Sequence, residues 1–251
     1  MPGMLEGMSG VSTGLLHNGM DLLFPPSCLF CHKPVSHRQS CCEACAREIQ
    51  LISHQTCHRC GQPLPEELAP GPCGRCLMKP PPQQETISLF TYAGPVRQAL
   101  LAWKLEGRNE GLLWLLDAAR PKLLATFKPE DLLLPIPMPL KRMRKAGQHH
   151  AADLCRHIAA MTHSSWEWRL LRREGEQARQ SSLRGPDRQR NLRAAFSVDM
   201  EVWNRLDVRG HIWVLDDIHT TGSTLRFGSR ALTSLWTPVN AFALSRVGPE
   251  R

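Results

Sequence analysis

The sequence predicts an α/β protein: a largely parallel sheet with flanking helices, preceded by a small metal-stapled module of zinc-ribbon type. Three observations predict it. Eight of the ten cysteines form four Cys-x2-Cys pairs between Cys28 and Cys76. Beyond residue 85, short apolar runs alternate with stretches of helical spacing, the pattern of strands joined by crossover helices. Between the two regions stands Pro80-Pro81-Pro82, a stiff segment that suits a boundary. The expected division is a structureless start at 1–20, a double ribbon at 21–79, a linker at 80–85 and the sheet module at 86–251.

Composition bounds the rest. A chain of 251 residues that is 42% apolar can bury a real core, so wholesale disorder is excluded. No apolar run approaches the ~18 residues of a membrane span. Met1–Met20 lacks the basic and apolar regions of a signal peptide, and Met20 is an alternative start. A cytoplasmic location is expected. The net charge of +8 is local: Lys141–Arg193 holds 13 Lys/Arg against 5 Asp/Glu.

In the head, Cys28-x2-Cys31 is followed by Cys42-x2-Cys45, Cys57-x2-Cys60 and Cys73-x2-Cys76. Each pair sets two thiolates on one knuckle, and two knuckles complete a tetrahedral zinc site. Disulfides are the competing reading, but CxxC pairs in a reducing compartment are metal sites. Two closed, structural zinc ions are expected, with sequential pairing the simpler topology and a cross-brace the other. Cys41 is left over and could replace Cys42. Gly61 and Gly74 are expected to supply open φ angles at the knuckles. His32, His37, His54 and His58 read as surface residues, and Cys155 as a thiol unrelated to the metal sites.

In the second module, Thr86–Tyr92 reads as a strand that Gly94-Pro95 breaks. Val96–Lys104 and Glu110–Ala119 have helical spacing. Asp131–Ile136 is a short buried strand ended by Pro135, Pro137 and Pro139. Ala151–Met161 is a helix, Ile212–Leu215 a buried strand, Leu225–Leu235 the helix after it, and Asn240–Ser245 the last strand.

Ligands of such sheets bind at the carboxyl ends of strands. After Ile212–Leu215 come Asp216-Asp217-Ile218-His219, then Thr220-Thr221-Gly222-Ser223-Thr224. A Thr/Gly/Ser loop opening a helix offers amides, hydroxyls and the helix dipole to an anion. Two adjacent carboxylates can accept hydrogen bonds from a vicinal diol. Phosphate plus diol describes a ribose 5-phosphate. His219 has two readings: a solvated side chain, or a titratable contact to phosphate.

Val214–Thr224 resembles the phosphoribosyl pyrophosphate (PRPP) motif of type I phosphoribosyltransferases. That resemblance implies ribose hydroxyls on Asp216 and Asp217, and the 5′-phosphate on Thr220, Thr221, Gly222, Ser223 and Thr224, with Mg²⁺ accompanying PRPP. A wider resemblance runs from about Asp21 to Arg246. The cysteine-rich head after Asp21-Leu22-Leu23-Phe24-Pro25-Pro26 is similar to the ComF/GntX family of competence and DNA-utilisation proteins. So are Tyr92–Arg97, Lys104, Pro135–Pro139, Asn191 and Ala195-Phe196. Relatives read Arg-x-Arg-Gly-Phe-Asn-Gln-Ala where this chain has Arg144-Lys145-Ala146-Gly147-Gln148-His149-His150-Ala151. Gly147 and Ala151 hold their places, while the second Arg and the Phe-Asn-Gln run are replaced.

The basic segment has three readings: a solvated surface, the pyrophosphate side of a PRPP site, or a nucleic-acid surface. Lys141, Arg142 and Arg144 directly follow a strand exit and suit the second. Many Lys/Arg on one face would bind DNA phosphates with a strong salt dependence. Trp166 and Trp168 could stack on bases or pack in a core, the latter favoured for Trp168 by Leu170 and Leu171. The family resemblance implies single-stranded DNA and the DNA-uptake machinery as partners. Two function classes follow: a PRPP-binding protein of DNA uptake or utilisation, or an active phosphoribosyltransferase. No catalytic or acceptor-choosing residue is recognisable.

Overall fold

The protein is described from a computed structural model, which covers residues 26–36, 39–52, 55–138, 143–144, 147–173 and 196–248. The expected α/β architecture is present. Two knuckle hairpins open the chain, each followed by a short helix, α1 (Glu43–Glu48) and α2 (Gly74–Met78). Strand β1 (Thr86–Thr91) leads to helices α3 (Gly94–Glu106), α4 (Glu110–Ala118) and α5 (Arg120–Thr126). Then come β2 (Leu132–Pro135), α6 (His150–Thr162) and the short strands β3 (Ser165–Trp166) and β4 (Leu171–Arg173). After β5 (Phe196–Val198) and α7 (Met200–Trp203), β6 (Ile212–His219), α8 (Ser223–Leu232) and β7 (Val239–Arg246) complete the module.

Five strands form a parallel sheet in the order β1-β7-β6-β2-β3, as in type I phosphoribosyltransferases. β4 and β5 pair antiparallel beside it. The central strands read as continuous apolar runs because both faces are covered. Trp213, Leu215, Phe242 and Leu244 join one core beneath α3–α6. Ile212, Val214, Ala241 and Ala243 join the other, beneath α8.

Two elements differ from expectation. Gly94-Pro95 does not merely end β1; it starts α3, with proline in the first turn, where its missing N–H costs nothing. β6 runs four residues beyond the expected Leu215, because Asp216, Ile218 and His219 pair with Ala243, Ser245 and Arg246 of β7.

The head packs on the sheet module. Phe30 meets Trp114 edge-on at 5.4 Å between ring centroids. Ile52 N–H donates to Leu89 O at 2.7 Å, and Thr86 N–H donates to His58 O at 2.7 Å. The segment 80–85 is packed as well: Pro81 and Gln83 are buried, and Gln83 Nε2 donates to Thr86 Oγ1 at 3.1 Å.

Candidate functional site

The two ribbons repeat one design. Ser27 bridges Pro34 in the first hairpin and Thr56 bridges Pro63 in the second. His32 and Gly61 occupy equivalent knuckle positions, both left-handed at φ 59° and 66°. The open φ expected at Gly61 is there. Gly74 is different: it has no positive φ and is the first residue of α2. Cys28, Cys31, Cys42 and Cys45 bring their sulfurs within 4.8 Å of one another, and so do Cys57, Cys60, Cys73 and Cys76. This is the sequential pairing. Cys31 and Cys42 sulfurs are 3.6 Å apart and those of Cys60 and Cys73 are 3.8 Å apart. A zinc tetrahedron with sulfur at about 2.3 Å has edges of about 3.8 Å, so both sets fit zinc.

Main-chain amides prepare the thiolates. Burial opposes ionisation of Cys28, but the backbone N–H groups of Cys31, Cys42 and Phe30 outweigh it and bring the thiol down to about 6. Cys57 comes down to about 7 against its burial, through the amides of Cys73 and Cys60. Cys41 stays outside the cluster: its Sγ donates to Cys42 O at 3.4 Å, and burial followed by the charge of Cys28 pushes it up to about 12. His32 and His58 are exposed, as expected; His37 and His54 lie outside the described residues.

At the other end of the module, Asp216 and Asp217 are adjacent on β6. Asp217 Oδ2 pairs with Lys104 Nζ at 2.6 Å, both largely shielded from water. Asp217 N–H donates to Asp216 Oδ1 at 2.9 Å. Burial, and next the Asp217 charge, push Asp216 up to about 8, so it holds its proton at neutral pH. Cys155, on α6 and apart from both cysteine clusters as expected, is fully buried, and burial and then the Asp216 charge raise its thiol well above the usual range.

The loop Thr220–Thr224 leaves β6 and opens α8. Gly222 is left-handed at φ 70°, a conformation that side chains with a Cβ resist. Thr221 Oγ1 and Ser223 Oγ are 2.9 Å apart, and Arg226 N–H donates to Gly222 O at 2.9 Å. Asp216, Ile218, His219, Thr220, Gly222 and Thr224 line one small hollow. His219 is not the solvated side chain of the first reading. It is buried, with Nδ1 2.9 Å from Arg246 Nη1, and burial followed by the Arg246 charge brings it down to about 3. A guanidinium can only donate, so the imidazole is the acceptor of this contact, with Nε2 also 3.3 Å from Arg246 Nη1.

Arg144 is exposed in the β2–α6 connection, while Lys141 and Arg142 lie outside the described residues. His149, one of the replaced family positions, caps α6: Nδ1 accepts from Ala152 N–H at 3.0 Å. Trp166 and Trp168 are 36% and 52% exposed, against the core packing favoured for Trp168; Leu170 and Leu171 are the buried pair. Sequence reasoning noted Lys104 only as a family match. Its position in the last turn of α3 is where a cation sits well, but nothing in the spacing told which carboxylate it meets.

The fold and its two cysteine clusters define a double zinc ribbon joined to a phosphoribosyltransferase-type α/β module. Residues 19–77 match the double zinc ribbon domain family. The chain is similar to the DNA utilization protein YhgH of Salmonella typhimurium, at 30% identity over 211 residues, covering 81% of this chain and 89% of that protein. It is similar to competence protein F of Haemophilus influenzae, at 25% over 199 residues, 77% of this chain and 84% of that one. Competence protein ComFC of Bacillus subtilis is 25% identical over 215 residues, covering 81% of each chain. The chain belongs to the ComF/YhgH family. Among the described residues, no helix is long and apolar enough to cross a membrane.

Proposed function

We propose that this chain binds PRPP or a related phosphoribosyl ligand together with single-stranded DNA, and acts in the cytoplasm in DNA uptake or DNA utilisation. One observation carries the ligand half: adjacent Asp216 and Asp217 stand on the strand that feeds the Gly222-centred loop into α8. The carboxylates take the ribose diol, Thr220–Thr224 take the 5′-phosphate through amides and hydroxyls, and the charges of Lys141, Arg142 and Arg144 offset the Mg²⁺-pyrophosphate. The names of the relatives support the DNA half. So do the exposed Trp166 and Trp168, since indoles stack on unpaired bases.

Calorimetric titration of the zinc-loaded chain with Mg²⁺-PRPP tests the first half. Wild type binds and Asp217→Asn loses at least tenfold in affinity; absence of binding ends the reading. Fluorescence anisotropy with single-stranded DNA tests the second: affinity falls steeply between about 50 and 200 mM salt and drops on Trp168→Ala. A flat salt response removes DNA.

The retained acidic pair, with Lys104 on Asp217, also favours an active phosphoribosyltransferase. There an acceptor nitrogen would bond to ribose C1 as the C1–O bond to pyrophosphate breaks. Pyrophosphate release with nucleobases or DNA present, abolished in Asp216→Asn, would establish it.

A further inference from the structure

The second cysteine cluster and the loop Thr220–Thr224 share one buried residue. Arg246 ends β7 and is 8% exposed. One hydrogen of Nη1 goes to Cys60 O at 3.2 Å, and the other faces His219 Nδ1 at 2.9 Å. Nη2 donates to Gln62 Oε1 at 3.2 Å. The His219 ring lies directly against Gly222, where a Cβ would overlap Nε2. On the other side, a Cβ on Gly61 would sit 3.4 Å from Arg246 Nη1 and 3.3 Å from Thr86 O. Knuckle, guanidinium, imidazole and loop glycine thus form one packed column.

The metal is what holds the first member of this column. Cys60 is a ligand of the second cluster, and a knuckle of this kind folds with its metal rather than before it. If the knuckle opens, Arg246 loses two acceptors at once. A buried cation stripped of two of its three acceptor groups is costly, so the guanidinium moves toward water and His219 loses the partner that fixes its ring. Among the described residues the first cluster has no such contact with the loop: it packs on α4 through Phe30 and Trp114.

We propose that zinc at Cys57, Cys60, Cys73 and Cys76 sets the conformation of the Thr220–Thr224 loop through Arg246, a positioning residue. Occupancy of the second metal site therefore governs whether the loop is ready to bind an anion. That the anion is a sugar phosphate rests on the reading above; the control of the loop does not. Where a sugar phosphate binds, linkage is reciprocal, and the ligand slows loss of this zinc.

Hydrogen–deuterium exchange of the peptide spanning 219–226 tests this in the full, zinc-loaded chain. In Cys73→Ser the loop exchanges at least tenfold faster, while in Cys42→Ser, which lacks the other metal, it exchanges as in wild type. Arg246→Lys keeps about two zinc ions but shows the fast loop, because an ammonium cannot span both acceptors. Unchanged loop exchange in folded Cys73→Ser, or an equal rise in Cys42→Ser, overturns the proposal. Should Cys73→Ser fail to fold, Arg246→Lys and Gln62→Ala decide. In both, the loop must exchange faster while about two zinc ions are kept, and wild-type loop exchange in either overturns it. Ribose 5-phosphate then separates the two readings. If it does not bind while the loop still follows the metal, the phosphate reading falls and the control stands.

Discussion

Lys104 Nζ lies 2.6 Å from Asp217 Oδ2, joining the helix after the first strand to the acidic pair on the sixth. The pair is mostly shielded, so breaking it costs more than a surface bridge does. Lys104→Met should lower stability by roughly 1–2 kcal/mol, read from urea unfolding at pH 7. The Lys104 charge also favours ionised Asp216, so its removal should move the Asp216 titration to higher pH in carboxyl NMR.

Asp216 itself is a cost to the fold in alkali. Burial and then the Asp217 charge raise it from 3.8 to about 8 in the folded chain. Between those values the folded state binds more protons than the unfolded one, so this group lowers stability as pH rises, in full above pH 8. Asp216→Asn should therefore stabilise the ligand-free protein at pH 9, and much less at pH 5. Melting temperatures at the two values test this. Equal effects at both would contradict it.

Metal analysis should return about two zinc ions per chain. Cys42→Ser and Cys73→Ser should each lose one, and Cys41→Ser none, because its thiol lies outside the first cluster. Retention of both ions in Cys42→Ser would mean that Cys41 can take its place.

His219 works in the opposite direction to Asp216. Burial and then Arg246 depress it from 6.5 to about 3. Its contribution is present above pH 6.5 and is lost progressively as pH falls toward 3. His219→Gln should be less stable than wild type at pH 7.5 and lose less stability between pH 7.5 and 5, measured as urea midpoints.

Local pattern carried most of the fold. The apolar runs at Ile212–Leu215 and Asn240–Ser245 are strands, and the cysteine spacing describes both ribbons. The extension of β6 to His219 was not legible, because polar Asp216 and Asp217 look like a strand exit until β7 is seen pairing with them. Within the site, the carboxylates and loop are contiguous in sequence and could be read as a motif. Lys104 and Arg246 could not. The contact between Arg246 and Cys60 spans 186 residues, and only the folded sheet brings such groups together. Trp168 misled for a related reason: its apolar neighbours are buried, and it is not.

The strand order has a consequence for how the chain is made. Within the five-stranded sheet, β7 is the neighbour of β1 among the described residues, Thr86 against Ala241 and Phe90 against Ser245. The ribbons can load metal as soon as they leave the ribosome, yet the strand they rest on stays without its sheet neighbour until Val239–Arg246 is synthesised. Such distant pairing slows folding and leaves apolar edges open meanwhile. Assembly of the sheet is therefore completed by its last strand. The same stroke seats Arg246 between the metal knuckle and the loop, so ribbon and site reach their final form together.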